Sequence, residues 1–92
     1  MELTTKDKQR LKAEAHQLKP VIMIGNNGLT EAVMIETLRA LHDHELIKIK
    51  IAGDDRDLRK QMTAEICEQA DAELVQAIGH VIVIFKKNIS KG

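Results

Sequence analysis

The sequence predicts an α+β (α/β) fold in which three helices pack on a four-stranded mixed sheet, and three observations carry that prediction. Apolar residues recur at helical spacing in three separate segments. The run Leu46-Ile47-Lys48-Ile49-Lys50-Ile51 alternates apolar and charged residues with the two-residue period of a strand. Two apolar runs near the end, Leu74–Ile78 and Val81–Phe85, flank Gly79-His80, a two-residue connection whose leading glycine suits a type II′ hairpin turn. The element order is α-β-α-β-α-β-β.

The first helix is expected from Thr4 or Thr5 to about Gln17, with Leu11, Ala15 and Leu18 on one face and Lys8 and Lys12 in an adjacent column. Pro20 pushes Lys19 toward extended backbone and separates this helix from a strand, Val21-Ile22-Met23-Ile24. Four apolar residues in a row predict a strand covered on both faces. A second helix follows over residues 31–43, with Val33, Met34, Leu38 and Leu41 toward the core and Glu36 and Arg39 away from it. In the strand 46–51, Ile47, Ile49 and Ile51 face the core, so Lys48 and Lys50 point to the opposite, wetter face. Gly53-Asp54-Asp55-Arg56-Asp57 then opens a third helix with an Asp cap, and Leu58, Met62, Ile66 and Ala70 mark its buried stripe. From Lys86 onward the tail is polar and expected to fray. Each strand–helix–strand unit should make a parallel crossover, and the closing hairpin adds an antiparallel strand. The second and third helices are expected on one face, the first near the loop end or partly over the other face.

A chain of 92 residues has room for one domain, here residues 1–92 with a compact part from about 3 to 87. Cys67 is the only cysteine, so no internal disulfide can form, and stability must come from burying Ile, Leu, Val and Met. No apolar run reaches the roughly 18 residues of a membrane span, and Met1-Glu2-Leu3-Thr4-Thr5 lacks a signal-peptide core. The cytoplasm is the expected compartment. Formal net charge is zero, but the charges are segregated. Lys6, Lys8, Arg10, Lys12 and Lys19 crowd one end, Lys48 and Lys50 lie mid-chain, and Lys86, Lys87 and Lys91 close it. Glu65, Glu68, Asp71 and Glu73 form an acidic block between them. A basic side and an acidic side are expected, against the plainer reading of ordinary solvated charge.

The stretch Gly25-Asn26-Asn27-Gly28 links the first strand to the second helix. Without a Cβ, Gly25 and Gly28 permit a sharp turn and close approach of another molecule. Thr30 is the expected N-cap, with Leu29 and Met34 as a hydrophobic staple. Free N–H groups and the positive end of a helix dipole then meet at one exposed point that favours phosphate. As a bare pattern this is first an ordinary strand-to-helix turn, and its place before a capped helix is what raises the binding reading. A glycine-x-x-glycine loop also clamps nucleotide backbone in KH domains, whereas no Lys-Ser/Thr follows Gly28, so it is not a nucleoside-triphosphate loop.

Other candidates read as structural. His42 and His44 lack companions for a metal site, Asp54, Asp55 and Asp57 serve a helix start, and Cys67 packs as a small hydrophobe. No nucleophile–base set can be assembled, so no enzyme and no cofactor are expected. Phe85 is the only aromatic residue, which removes base-stacking platforms of the RRM or OB kind. Any RNA must be held by amides and cations on phosphate and 2′-hydroxyl groups, which means structured RNA recognised by shape.

Leu11-Lys12, Ala15-His16, Leu18-Lys19-Pro20, Ile24-Gly25, Asn27-Gly28-Leu29-Thr30 and Glu45-Leu46-Ile47-Lys48 together resemble the CRM domain, named for chloroplast RNA splicing and ribosome maturation. The resemblance spans residues 3 to 87 and is to the free-standing bacterial, YhbY-type members. It implies a fold like the C-terminal domain of translation initiation factor three and association with precursors of the large ribosomal subunit. By position, the family loop corresponds to Gly25, Asn26, Asn27 and Gly28, and its basic helix-to-strand segment to Lys12 and Lys19. Relatives often carry Lys where this chain has Asn26. Lys8 joins the expected RNA surface from its helical column, Lys48 and Lys50 from strand alternation. The expected partner is structured RNA, ribosomal RNA first, without DNA or membrane, bound by a monomer. The alternative is a protein-interaction module that docks on an assembly or ribosomal protein through its acidic side.

Overall fold

In the computed structural model, which describes residues 3–25 and 27–87, the alternating run at the middle of the sequence lies at the middle of the molecule. The elements are α1 (Thr5–Ala15), β1 (Ile22–Ile24), α2 (Glu31–His44), β2 (Leu46–Ile51), α3 (Arg56–Ala70), β3 (Glu73–Ile78) and β4 (Val81–Phe85), in the expected order. The strands form one sheet in the order β1-β2-β4-β3. β1 pairs parallel to β2, with Ile22 opposite Ile49 and Ile24 opposite Ile51. β4 is antiparallel to both β2 and β3. β3 therefore runs in the direction of β2 without pairing to it, and the α3 crossover passes over one strand.

Two apolar layers follow from the strand period. Ile47, Ile49 and Ile51 join Ile22, Ile24, Ile82 and Ile84 beneath Met34 and Leu41 of α2 and Ile66 and Ala70 of α3. On the other face, Leu11 and Ala15 of α1 pack with Leu46, Val75 and Val83. Thus α2 and α3 share one face, and α1 partly covers the other. Asp55 caps α3, its Oδ1 accepting from the N–H groups of Asp57 and Leu58 at 2.9 and 3.2 Å. Gly79 has φ +57°, and His80 is not in the left-handed region, as a type II′ turn requires.

Several expectations are corrected. β1 is covered on one face only: Val21 and Met23 are 53% and 69% exposed, because β1 is an edge strand that α1 does not reach. Leu38 is exposed, and Thr37 takes the core position instead, its hydroxyl donating to the Val33 carbonyl at 2.8 Å. Leu58, in the first turn of α3, is exposed, and Leu18 is partly exposed because α1 ends at Ala15. Lys86 is held rather than frayed, its N–H donating to the Glu45 carbonyl at 2.9 Å and its Nζ to the Ala70 carbonyl at 2.8 Å. The tail beyond Lys87, Lys91 included, lies outside the described residues.

Ile49 is fully buried at the centre of the sheet. Ile49→Ala is expected to lower unfolding free energy by about 2–5 kcal/mol in urea titrations; a loss below about 1 kcal/mol would contradict this packing. A capping box starts α1, with the Asp7 N–H donating to Thr4 Oγ1 at 3.0 Å and the Thr4 N–H to the Asp7 carboxylate at 3.2 Å. The Thr4 backbone N–H, then its hydroxyl, holds the Asp7 carboxyl below its ordinary value of 3.8. A carboxyl lowered on folding contributes stability above its unfolded pKa and loses it as pH falls through the folded value. NMR titration should therefore give Asp7 a midpoint below 3.8; a midpoint at or above it would show that the box is not formed.

Candidate nucleic-acid interface

The glycine turn leaves β1 at the end of the sheet, beside the end of β2. The Ala52 N–H donates to the Ile24 carbonyl at 2.8 Å and fixes the two exits side by side. Within the turn, the Gly28 N–H donates to the Gly25 carbonyl at 3.0 Å. That closes a four-residue turn and uses one of the amides expected to be free. Thr30 caps α2, its Oγ1 accepting from the Val33 N–H at 3.2 Å. The amides of Glu31 and Ala32 precede that of Met34, the first to donate within the helix, to the Thr30 carbonyl at 3.0 Å, so the positive end of α2 opens at the turn, with the Glu31 carboxylate beside it. Leu29 and Met34 join the same core, as a staple would. Asn26 lies outside the described residues.

The two glycines differ in what they do. Gly28 has φ +74°, where a side chain is strained, and a Cβ there would meet Met62 Sδ at 4.0 Å. Gly25 is not left-handed, and a Cβ on it would meet nothing within 4 Å. The fold requires glycine at 28 and leaves open space over 25.

The expected cations gather on the sheet face that carries α1. Lys12 and Lys48 line one small cleft of about 120 Å³ with His16, Gln76 and Ile78. Lys19 and Lys48 line a second, of about 450 Å³, with Glu14, Gln17, Val21 and His44. Lys50 sits opposite Met23 on one side and Val81 on the other, so exposed Met23 and Lys50 extend the same face to the β1 edge. Lys8 lies one helical turn before Lys12. Lys48 is less wet than expected: it is half-buried, and its Nζ donates to the Leu18 carbonyl at 3.0 Å, tying the end of α1 to β2.

These lysines do not surround the glycine turn. The cleft of about 470 Å³ containing Gly25, Asn27 and Gly28 is walled by the β2–α3 loop and by α3, with Asp54, Asp55 and Glu65 among its lining. Packing α3 beside α2 brings its acidic cap against the turn. The Asp55 carboxylate is occupied in capping. The cation of this cleft is Arg59, which sequence reading missed; its guanidinium donates to the Gly53 carbonyl at 2.6 Å. Its spacing of three and four residues among Arg56, Arg59 and Lys60, right after an Asp cap, was the available signal.

Among the described residues no three His, Cys, Asp or Glu side chains could hold a metal ion, and no helix is long and apolar enough to cross a membrane. His42 and His44 are both exposed, with His42 Nδ1 3.7 Å from the Asp43 carboxylate. Cys67 packs against the α2–α3 core, and burial, with Glu73 adding to it, pushes its thiol pKa up, away from a nucleophilic thiolate.

A four-stranded sheet with helices on both faces, a glycine turn before a capped helix and a lysine-bearing open face together define a small α+β domain of the nucleic-acid-binding kind. The chain belongs to the CRS1/YhbY (CRM) domain family, whose model matches residues 3–86. It is 47% identical over 88 residues to a protein of Pseudomonas aeruginosa named a probable RNA-binding protein, covering 96% of this chain and 85% of that one. A Haemophilus influenzae protein named RNA-binding protein is 49% identical over 84 residues, covering 91% and 85%. The solution structure of a Staphylococcus aureus protein, described as a hypothetical RNA-binding protein, superposes with a TM-score of 0.84 at 32% identity, covering 99% of this chain and 95% of that one.

Gly25→Ala is expected to leave stability unchanged or raise it by about 0.4–1 kcal/mol, while Gly28→Ala costs about 1–2 kcal/mol. Paired urea titrations check this; equal costs at the two positions, or the reverse order, would contradict the turn geometry.

Proposed function

We propose that this protein binds structured RNA and acts, without catalysis, on precursors of the large ribosomal subunit in the cytoplasm. The supporting observation is the convergence of Lys12, Lys19, Lys48 and Lys50 on the uncovered part of one sheet face, reached from separate stretches of a chain whose net charge is zero. An electroneutral chain that gathers four lysines on one face, with Glu14 the carboxylate among them, presents a surface suited to a polyanion. Family membership and the names of the relatives support the RNA-binding part of this reading.

The division of labour follows from the site. Lys12, Lys19 and Lys50 supply attraction to phosphates along the sheet, with Lys8 extending it up α1. Lys48, pinned to Leu18, sets the angle of α1 and offers its remaining N–H bonds. The open space over Gly25 lets a sugar–phosphate backbone reach the start of α2, where unpaired amides and the helix dipole favour an anion. Asp54 and Glu65, on the far side of the turn, repel phosphate and confine the RNA to the α1 side. Val21 and Met23 supply aliphatic contact to ribose rather than base stacking.

Lys12→Glu combined with Lys19→Glu should weaken binding to a large-subunit RNA fragment at least tenfold near 0.1 M salt. It should also reduce the slope of log K against log salt by about 0.7–0.9 for each phosphate that is no longer neutralised. Unchanged affinity and slope in filter-binding titrations would exclude this face. Gly25→Val, with circular dichroism unchanged, should weaken binding without altering the salt slope. Sedimentation of a lysate should place the protein with large-subunit precursors and release it on nuclease treatment; retention after nuclease would favour docking on protein.

A further inference from the structure

The core beneath α2 and α3 draws on β1, β2 and β4 and includes no residue of β3. A groove of about 630 Å³ therefore lies between α3 and β3, on the sheet face away from α1. Its floor is aliphatic: Leu74 and Ala77 of β3 and Ile82 of β4, with Leu74 37% exposed. One wall is cationic. Arg56, and Arg59 and Lys60 three and four residues after it on α3, all line it, and among the described residues no carboxylate does. Among the described residues neither Arg56 nor Lys60 forms an ion pair, while Arg59 is tied to Gly53.

We propose that this groove docks an acidic amphipathic helix from a partner protein, which completes the helical layer that α2 and α3 leave short over β3. The dimensions fit. A six-residue strand such as β3 spans about 20 Å, the length of a helix of about 13 residues. A helix lying there would pack against α3 at the usual interaxial distance of about 8–10 Å. Charge complementarity selects the class of partner. Leu, Ile or Met at positions i, i+3, i+4 and i+7 would cover Leu74, Ala77 and Ile82, and Asp or Glu on the flank toward α3 would meet Arg56 and Lys60. The groove is also polarised along its length. Arg56 lies at the end near Gly79 and His80, whereas Glu73 lies close to Cys67 toward the other end. The carboxylates of the partner belong at the Arg56 end. Leu74, Ala77 and Ile82 form an aliphatic floor that the apolar stripe of a helix buries and a sugar–phosphate backbone does not. Because the groove and the lysine face lie on opposite sides of the sheet, both can be occupied at once, and either assignment can fail without the other.

The test is a displayed library of 14-residue helical peptides selected against the full-length protein, followed by NMR of the labelled chain. Enriched peptides should carry an apolar stripe with Asp or Glu beside it and should shift the amides of Thr63, Cys67, Leu74 and Ala77. Arg56→Glu with Lys60→Glu should lower their affinity at least tenfold. Replacing the peptide carboxylates by Lys should restore binding to that variant, which an unfolded variant could not show. Lys12→Glu with Lys19→Glu should leave peptide binding unchanged. The proposal is overturned if no acidic amphipathic class is enriched, or if the shifts map to the α1 face. It is equally overturned if the charge exchange rescues nothing, or if an RNA hairpin displaces the peptide from these residues. Concentration-dependent broadening of the same amides without peptide would assign the groove to a second copy and likewise overturn it.

Discussion

The two-residue period of β2 is the constraint on which the rest of the molecule depends. It packs Ile47, Ile49 and Ile51 under α2 and α3, and by the same alternation it sends Leu46, Lys48 and Lys50 to the other face. A slip of one residue would bury two ammonium groups and expose three isoleucines. Register is fixed from both sides, by parallel pairing to β1 and antiparallel pairing to β4. Core formation and placement of the lysines are thus one event. α1 then takes part of the second face and seals Leu46 and Val83, and the uncovered remainder of that face is where the cations collect.

Partial coverage is the second theme. Three helices are too few to cover both faces of four strands, and each face has a gap. On the α1 side the gap lies over β1, beside Val21, Met23 and Lys50. On the α2–α3 side it lies over β3, beside Leu74 and Ala77. Both gaps are bordered by cations, Lys19 and Lys48 beside Val21 in one case and Arg56, Arg59 and Lys60 of α3 in the other. Their floors differ. The first contains lysines and an open strand edge, and the second is aliphatic, which is the physical ground for assigning them to different kinds of partner.

The fold was legible in the sequence wherever period and capping agreed. The alternation at 46–51, the Thr30 and Asp55 caps and the Gly79-His80 turn each identify an element and one of its boundaries. What escaped depended on coverage, which no local pattern records. Four apolar residues at 21–24 look like a fully buried strand, yet β1 is an edge that α1 does not reach. Thr37 looks polar but satisfies its hydroxyl on its own helix and is buried, while Leu38 beside it is not. At the candidate site the glycines, the caps and the side of the sheet bearing Lys48 and Lys50 were readable. The acidic α3 wall beside the turn was not, since it comes from packing between helices distant in sequence, and that packing is also what brings Arg59 to the turn.

The central claim is that RNA lies on the α1 side of the sheet and reaches the start of α2 over Gly25. NMR of the isotopically labelled protein with a bulged RNA hairpin from the large subunit tests it most directly. The account predicts that the largest shifts fall on Lys12, Lys19, Val21, Met23, Lys50 and Gly25, fading with added salt, while Thr63, Leu74 and Ala77 stay still. Shifts concentrated along α3 and β3, with the lysine face unmoved, would contradict it.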